Sequence, residues 1–299
     1  MKKILVIGSA VVDVVINLDH LPQRSEDVHV LSQQMSLGGC AYNTSDIIRH
    51  FKVPYIPFFP VGTGAYGDFV RNGLAQRGIH SPIPTPMRDN GCCYCFVEAD
   101  GERTFVSYHG AEYLFERSWF DAIDASQVGS VYICGLEIEE TTGPNIVSYL
   151  EEHPEFTLFF APGPRLTRIK PALMQRLFAL HPILHLNDEE AFVYTKEKTL
   201  TEAARALYAK SGNTVIITLG KSGCYYFDGA REETVPGIPA AQVDAIGAGD
   251  AHIGAIIACL HMGKTLPQAI AMANRVSSLV VETKGALLSD VAFRSLELE

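Results

Sequence analysis

The sequence predicts an α/β protein of three layers, a mostly parallel β-sheet with helices on both faces, and a small antiparallel sheet beside it. Three observations predict this. Short apolar runs recur at 3–8, 55–61, 130–134, 157–161, 183–186 and 214–219. Amphipathic stretches at 66–78, 143–152, 171–180, 188–195 and 201–211 lie between them, and this alternation belongs to parallel strands joined by helical crossovers. Two further segments, 11–37 and 91–109, have strand alternation with no helix between strands, which sets them apart as a second sheet.

The elements follow in order. The opening run MKKILVIGSAVVDVVINL reads as a buried first strand and not a secretory leader, because Asp13 interrupts it and no small-residue cleavage site follows. Ala99-Asp100-Gly101-Glu102 is a hairpin signal between two β-rich arms. Residues 248–281 read as two helices in sequence, the first ended by Gly263 and the second started by Thr265 and Pro267. The expectation is one domain over 1–299, in which 11–37 and 91–109 form a lid over the mouth of a site. No stretch approaches the ~20 uninterrupted apolar residues of a membrane span.

Composition narrows the function. Of 299 residues, 47% are apolar and 19% charged, so a large core forms and wholesale disorder is excluded. A net charge of −10 argues against nucleic acid as a partner, which would require a basic face. It does not argue against one bound nucleotide, which needs only local amides and a metal ion. The seven cysteines (40, 92, 93, 95, 134, 224 and 259) are an odd number. In the strand-like run CCYCFV only Cys93 and Cys95 share a face, and no histidine lies at ligand spacing. They read as reduced small hydrophobes of a cytoplasmic protein.

One segment carries most of the chemistry. In VDAIGAGDAHIGAIIACL, residues 243–260, Gly247, Ala248 and Gly249 precede Asp250 and a helix built of small residues. Such a helix start leaves backbone N–H groups pointing outward into the positive end of the helix dipole, a setting for phosphate or a developing anion. A carboxylate there would repel a phosphate, yet it suits a base that takes the proton of an attacking hydroxyl. A tight turn with an N-cap aspartate accounts for the same letters. Asn187 and Glu190, spaced i, i+3 at a helix start, are compatible both with a metal site and with a capping box. Gly220-Lys221-Ser222 suggests a P-loop, but Val215 stands where the first glycine of that motif belongs. Gly62, Gly64 and Gly67 spell a dinucleotide-type G-x-G-x-x-G, a weak motif by itself.

DAIGAGDAH, with Asp244 at its head, resembles the C-terminal signature D-T-x-G-A-G-D of the PfkB carbohydrate kinases, the ribokinase-like family. Other landmarks stand in family order along nearly the whole chain: Gly8 and Asp13, LGGCAYN at 37–43, VGTGAYG at 61–67, Asn187 with Glu190, and Thr218-Leu219-Gly220 with Gly223. The resemblance implies a ribokinase-like kinase transferring phosphate from ATP to a hydroxyl. It implies Asp250 as base and the backbone of Gly247, Ala248 and Gly249 as anion hole. Asp13, Gly38, Gly39 and Asn43 would bind the acceptor. Asn187, Thr218, Gly220, Gly223 and Asn274 would serve the nucleotide, and Asn187 and Glu190 would organise Mg²⁺. Asp244, Ile246, Val280, Thr283, Gly285 and Ser289 are the implied ligands of a monovalent cation, usually K⁺.

Three positions depart from the pattern: Gly64 replaces an aspartate, Ile246 a small polar residue, and His252 a phenylalanine. The acceptor stays open between a sugar or sugar acid and a nucleoside. Aromatic stacking from 103–108 of the lid would favour a nucleoside, whereas Arg103 reaching the site would favour a charged or polyhydroxy acceptor. An unreactive ligand-binding regulator and a nicotinamide-dependent oxidoreductase are the readings from other classes. The exposed lid edge predicts a homodimer paired through the lids.

Overall fold

Side-chain alternation in the buried strands sets the architecture. In the first strand, Ile4 and Val6 enter one apolar core while Leu5 and Ile7 enter another, so the sheet is buried on both faces. The computed structural model describes residues 2–296. Its strands are β1 (Lys3–Ile7), β2 (Val11–Asn17), β3 (Ser32–Gly38), β4 (Tyr55–Phe58), β5 (Cys92–Val97) and β6 (Arg103–Tyr108). The second half adds β7 (Val128–Cys134), β8 (Thr157–Ala161), β9 (Ile183–Asn187), β10 (Val215–Thr218), β11 (Gly223–Phe227) and β12 (Glu232–Pro236). The helices are α1 (Cys40–His50), α2 (Gly64–Gln76), α3 (Gly135–Glu139), α4 (Gly143–Glu151) and α5 (Pro171–Phe178). They continue with α6 (Asp188–Thr195), α7 (Leu200–Ser211), α8 (Ala248–His261), α9 (Leu266–Val281) and α10 (Asp290–Arg294).

The main sheet has eight strands in the order β12-β11-β10-β9-β8-β7-β1-β4. The six from β4 to β10 pair in parallel, and the β11–β12 hairpin closes one edge antiparallel. Helices α1, α8 and α9 contribute to the core on one face, and α4, α5 and α7 to the core on the other. The chain leaves β1 toward β4 but leaves β7 toward β8, so connections diverge between two neighbouring strands. In open parallel sheets such a divergence opens a crevice at the carboxyl ends of the strands, the usual place for a ligand.

The second sheet has the order β3-β2-β5-β6. Its outer pairs are antiparallel and its central pair, β2 with β5, is parallel, because β5 arrives after the long excursion through β4 and α2. Val12, Val14 and Ile16 face inward with Val70 and Leu74 of α2 in the same core, which leaves the odd-numbered side of β2 to face the site. The hairpin signal at 99–102 lies, as expected, between β5 and β6.

Helices α1 and α8 meet closely. A Cβ at Gly254 would lie 2.7 Å from the Thr44 carbonyl oxygen and 3.1 Å from Ile47 Cβ, so only glycine admits this approach. The contact brings the start of α1 beside the start of α8. No helix among the described residues is long and apolar enough to cross a membrane.

Candidate active site

The residues expected to bind an acceptor converge in a crevice at the carboxyl ends of β1 and β7. Gly39 is the N-cap of α1 with φ +106, and a Cβ there would lie 2.6 Å from the Ser9 carbonyl oxygen, so the backbone after β3 lies directly on the backbone after β1. Gly38 touches Asp13 just as closely, for a Cβ would lie 1.9 Å from Asp13 Oδ2. Asn43 lies inside α1 and donates from Nδ2 to Asp250 Oδ2 at 2.9 Å, across 207 residues of sequence. Thr44 Oγ1 donates to the Asp250 carbonyl at 3.3 Å. Asp13, Gly38, Gly39, Asn43 and Asp250 therefore share one place.

Sequence reasoning missed a member of this group. Glu137, buried in α3 just after β7, accepts from Cys134 Sγ at 2.7 Å on Oε2. Its other oxygen, Oε1, has no hydrogen-bond partner among the described residues, and neither do Ser9 Oγ and Asn43 Oδ1. Buried polar atoms are nearly always paired, and hydroxyls of a ligand in this crevice could pair with these three. An acidic residue in an ordinary helix start gave no local signal in the sequence. Only the fold places it beside Asp250.

Electrostatics follow from crowding. Burial pushes Asp250 up to about 6, and the nearby carboxylates of Glu137 and Asp13 push it further in that direction, against hydrogen bonds from Asn43 and Cys40. Burial also raises Asp13 to about 6 and Glu137 above the usual carboxylate range. Register puts Ser36, Asp13, Cys93 and Ser107 in one row across the lid, with Cys95, Phe105 and Arg103 on the same side. Tyr94, Thr104 and Tyr108 point the other way, where Tyr94 meets the Tyr66 hydroxyl at 3.1 Å. Cys93 and Cys95 do share a face, but no group of three or more metal-ligating side chains occurs among the described residues.

On the far side of Asp250 lies a cleft of about 250 Å³, lined by Thr218, Gly220, Gly223, Ala248, Gly249 and Asn274 among others. Lys221, passed over once the P-loop reading failed, lines it too. Gly247 caps α8 with φ +77. The Ala248 N–H turns back to the Ala245 carbonyl at 3.3 Å, so of the three expected N–H groups those of Gly247 and Gly249 make no backbone bond among the described residues. Asn274 forms the wall with its polar atoms committed: Nδ2 donates to the carbonyls of Val235 and Pro236. Its Oδ1 must then accept from His252 Nε2 at 3.0 Å, which makes His252 Nδ1 the acceptor for His185 Nε2 at 2.9 Å. Burial holds both histidines neutral, His252 at about 4 and His185 well below its usual value. His252 therefore replaces an apolar residue as part of a hydrogen-bonded strut under the cleft.

Asn187 and Glu190 form a reciprocal capping box: Asn187 Oδ1 accepts from the Glu190 N–H at 2.8 Å, and Glu190 Oε2 accepts from the Asn187 N–H at 3.0 Å. Oε1 of Glu190 remains available beside Gly163. Burial raises the Glu190 pKa, as do the charges of Glu189 and Asp188, and a bound cation would relieve all three. Mg²⁺ keeps most of its waters and needs few protein oxygens, so these two residues fit it.

The residues expected for a monovalent cation do not fit as a set. Asp244 and Gly285 do meet, the Gly285 N–H donating to Asp244 Oδ2 at 3.2 Å. The other Asp244 oxygen, however, receives Arg103 Nη1 at 2.8 Å and the Ile246 N–H at 3.0 Å. The Val280 carbonyl accepts from the N–H and hydroxyl of Thr283, and Ser289 Oγ caps α10. Arg103 thus reaches Asp244 and not the acceptor crevice.

The N–H groups of Gly62 and Gly67 are taken up by the side chains of the segment at 89–90. Gly62 N–H donates to Asn90 Oδ1 at 2.7 Å and Gly67 N–H to Asp89 Oδ1 at 2.8 Å. The Asp89 carboxyl fills the space a side chain at Gly64 would take, 2.4 Å from its Cβ position.

The family model described as pfkB family carbohydrate kinase matches residues 1–291. The chain is 33% identical over 288 residues to an uncharacterized sugar kinase, YegV, of Escherichia coli K12, covering 95% of this chain and 90% of that one. A ribokinase structure from Thermotoga maritima superposes with a TM-score of 0.84 at 18% identity, over 99% of both chains. A nucleoside kinase from Methanocaldococcus jannaschii superposes with 0.81 at 18% identity, over 100% of this chain and 99% of that one.

Proposed function

Because this chain belongs to the pfkB family of carbohydrate kinases, we propose that it transfers the terminal phosphoryl group of ATP to a hydroxyl of a neutral, polyhydroxylated, sugar-like acceptor. The observation that carries this reading is the position of Asp250. Its carboxylate faces the crevice with the unpaired Ser9, Asn43 and Glu137 atoms, while Ala248 and Gly249, one and two residues earlier, line the cleft on the other side. An acceptor hydroxyl in the crevice and a phosphoryl group in the cleft would meet at the start of α8.

In this reading Asp250 accepts the hydroxyl proton as the oxygen attacks. A carboxylate pushed up to about 6 is ionised at neutral pH yet more basic than an exposed one. The N–H groups of Gly247 and Gly249 stabilise the charge on the transferring group. Asn43 fixes the carboxylate's orientation. Glu190 and Asn187 would hold Mg²⁺, whose chemistry is to neutralise phosphate charge and align the chain of phosphates. Asp13, Glu137 and Asp250 together disfavour an acidic acceptor, so a sugar acid or sugar phosphate fits less well than a neutral polyol. A nucleoside finds one aromatic ring, Phe105, on the site-facing side of the lid, while the neighbouring row holds only Ser36, Asp13, Cys93 and Ser107.

The test is ADP formation from Mg·ATP against a panel of neutral sugars, sugar acids and nucleosides, for wild type and Asp250→Asn. Turnover of a neutral sugar that drops by about 10²–10⁴-fold in the variant is the expected result. Turnover of nucleosides alone would replace the sugar reading. Absence of ATP binding would end the kinase reading.

A further inference from the structure

We propose that Arg103, carried on the lid, is a positioning residue that does for Asp244 what a bound monovalent cation would do. Phosphotransfer by this chain is then independent of K⁺ and coupled to the position of the lid. The inference rests on the kinase reading above.

Asp244 is buried, and a buried carboxylate needs a positive partner or several donors. Here it has both. Arg103 Nη1 supplies the charge at 2.8 Å, and the Ile246 and Gly285 N–H groups complete the shell. The partner comes from 141 residues away and from the smaller sheet. Asp244 thereby ties three segments: β6 of the lid, the loop that leads into the start of α8, and the loop after α9. Its own backbone N–H and that of Val243 are pinned to the Val281 carbonyl. Gly247, which starts the anion-binding turn, packs on Ala286 so closely that a Cβ would lie 2.4 Å from Ala286 Cβ. Any shift of Asp244 is therefore passed to the turn that holds the N–H groups of Gly247 and Gly249.

Arg103 shares the site-facing side of the lid with Asp13 and Cys95. The ion pair exists only while that sheet lies over the crevice. A lid that swings away strips Asp244 of its counter-charge, which favours closure once acceptor and nucleotide are in place. An exchangeable cation at the same carboxylate would leave the lid free, so the guanidinium links two events that an ion would keep separate.

The experiment compares wild type, Arg103→Ala and Arg103→Lys in buffer whose monovalent cation is tetramethylammonium, with K⁺ or millimolar guanidinium then added. Wild-type turnover should not respond to K⁺. Arg103→Ala should lose about 10- to 100-fold in kcat, with a smaller change in acceptor KM, and should recover much of it on adding K⁺ or guanidinium. Arg103→Lys, which keeps the charge, should stay insensitive to K⁺. Thermal unfolding gives a readout without turnover: K⁺ should raise the Tm of Arg103→Ala and leave wild type unchanged. A wild type that K⁺ activates or stabilises overturns the proposal, as does an Arg103→Ala loss that neither cation restores. Should no panel acceptor be turned over, the sugar and nucleoside readings fall together, and the Tm comparison still decides the cation claim. Should Arg103→Ala not fold, the K⁺ response of Arg103→Lys decides in its place.

Discussion

Two carboxylates in the crevice are pushed by burial to about 6, and this sets a pH signature. The proposed reaction requires Asp250 ionised, so kcat/KM should fall about tenfold per pH unit below that value, and more steeply if Asp13 must also be ionised. Asp13→Asn should remove the extra steepness while raising acceptor KM, which a pH–rate profile of both proteins would read. Stability runs the other way. Asp13 carries a folded pKa above its usual 3.8, so its stabilising share is fully present below that value and is lost as pH rises through about 6. Above pH 7 the buried charge costs on the order of 3 kcal/mol, so Asp13→Asn should resist urea better than wild type at pH 8 and show no advantage at pH 4. The place of Asp250, at a helix start beside its glycines, was legible in the sequence because one segment carries it. Glu137 was not, because nothing near it in sequence marks it as different from any helix-start glutamate.

At the level of elements, α6 begins on a capping box that, in the proposed reaction, would also serve Mg²⁺. Glu190 caps the helix with one oxygen and keeps the other available, so Glu190→Gln separates them: glutamine also completes a capping box. The variant should unfold at the wild-type temperature, yet need about 10- to 100-fold more Mg²⁺ for half-maximal turnover. Helices announced by an apolar stripe and a cap were legible to within a few residues, α6 and the α8–α9 pair among them. The β11–β12 hairpin escaped notice. GCYYF follows directly on β10 without a helix, and EETVP is mostly exposed and ends in proline, so neither has the rhythm of the parallel strands. Only pairing with β10 makes them strands.

The whole molecule holds its site where two sheets face each other, and the contacts that finish it are long in sequence. The three layers were legible because strand and helix patterns alternate. The pairs Asn43–Asp250, Arg103–Asp244 and His185–His252 were not, since no local rule links residues on different elements. Every residue of β6 is exposed, including Phe105, Val106 and Tyr108, on the unpaired edge of the lid. Two lids joined at that edge would cover it, so sedimentation should report a homodimer, and Val106→Lys should give a monomer of unchanged fold. The carboxyl of Asp89, lodged against Gly64, closes that position to any side chain. A Cβ there would lie 2.4 Å from the carboxyl, so a residue restored at 64 would have to expel the group that accepts from the Gly67 N–H and steadies the first turn of α2.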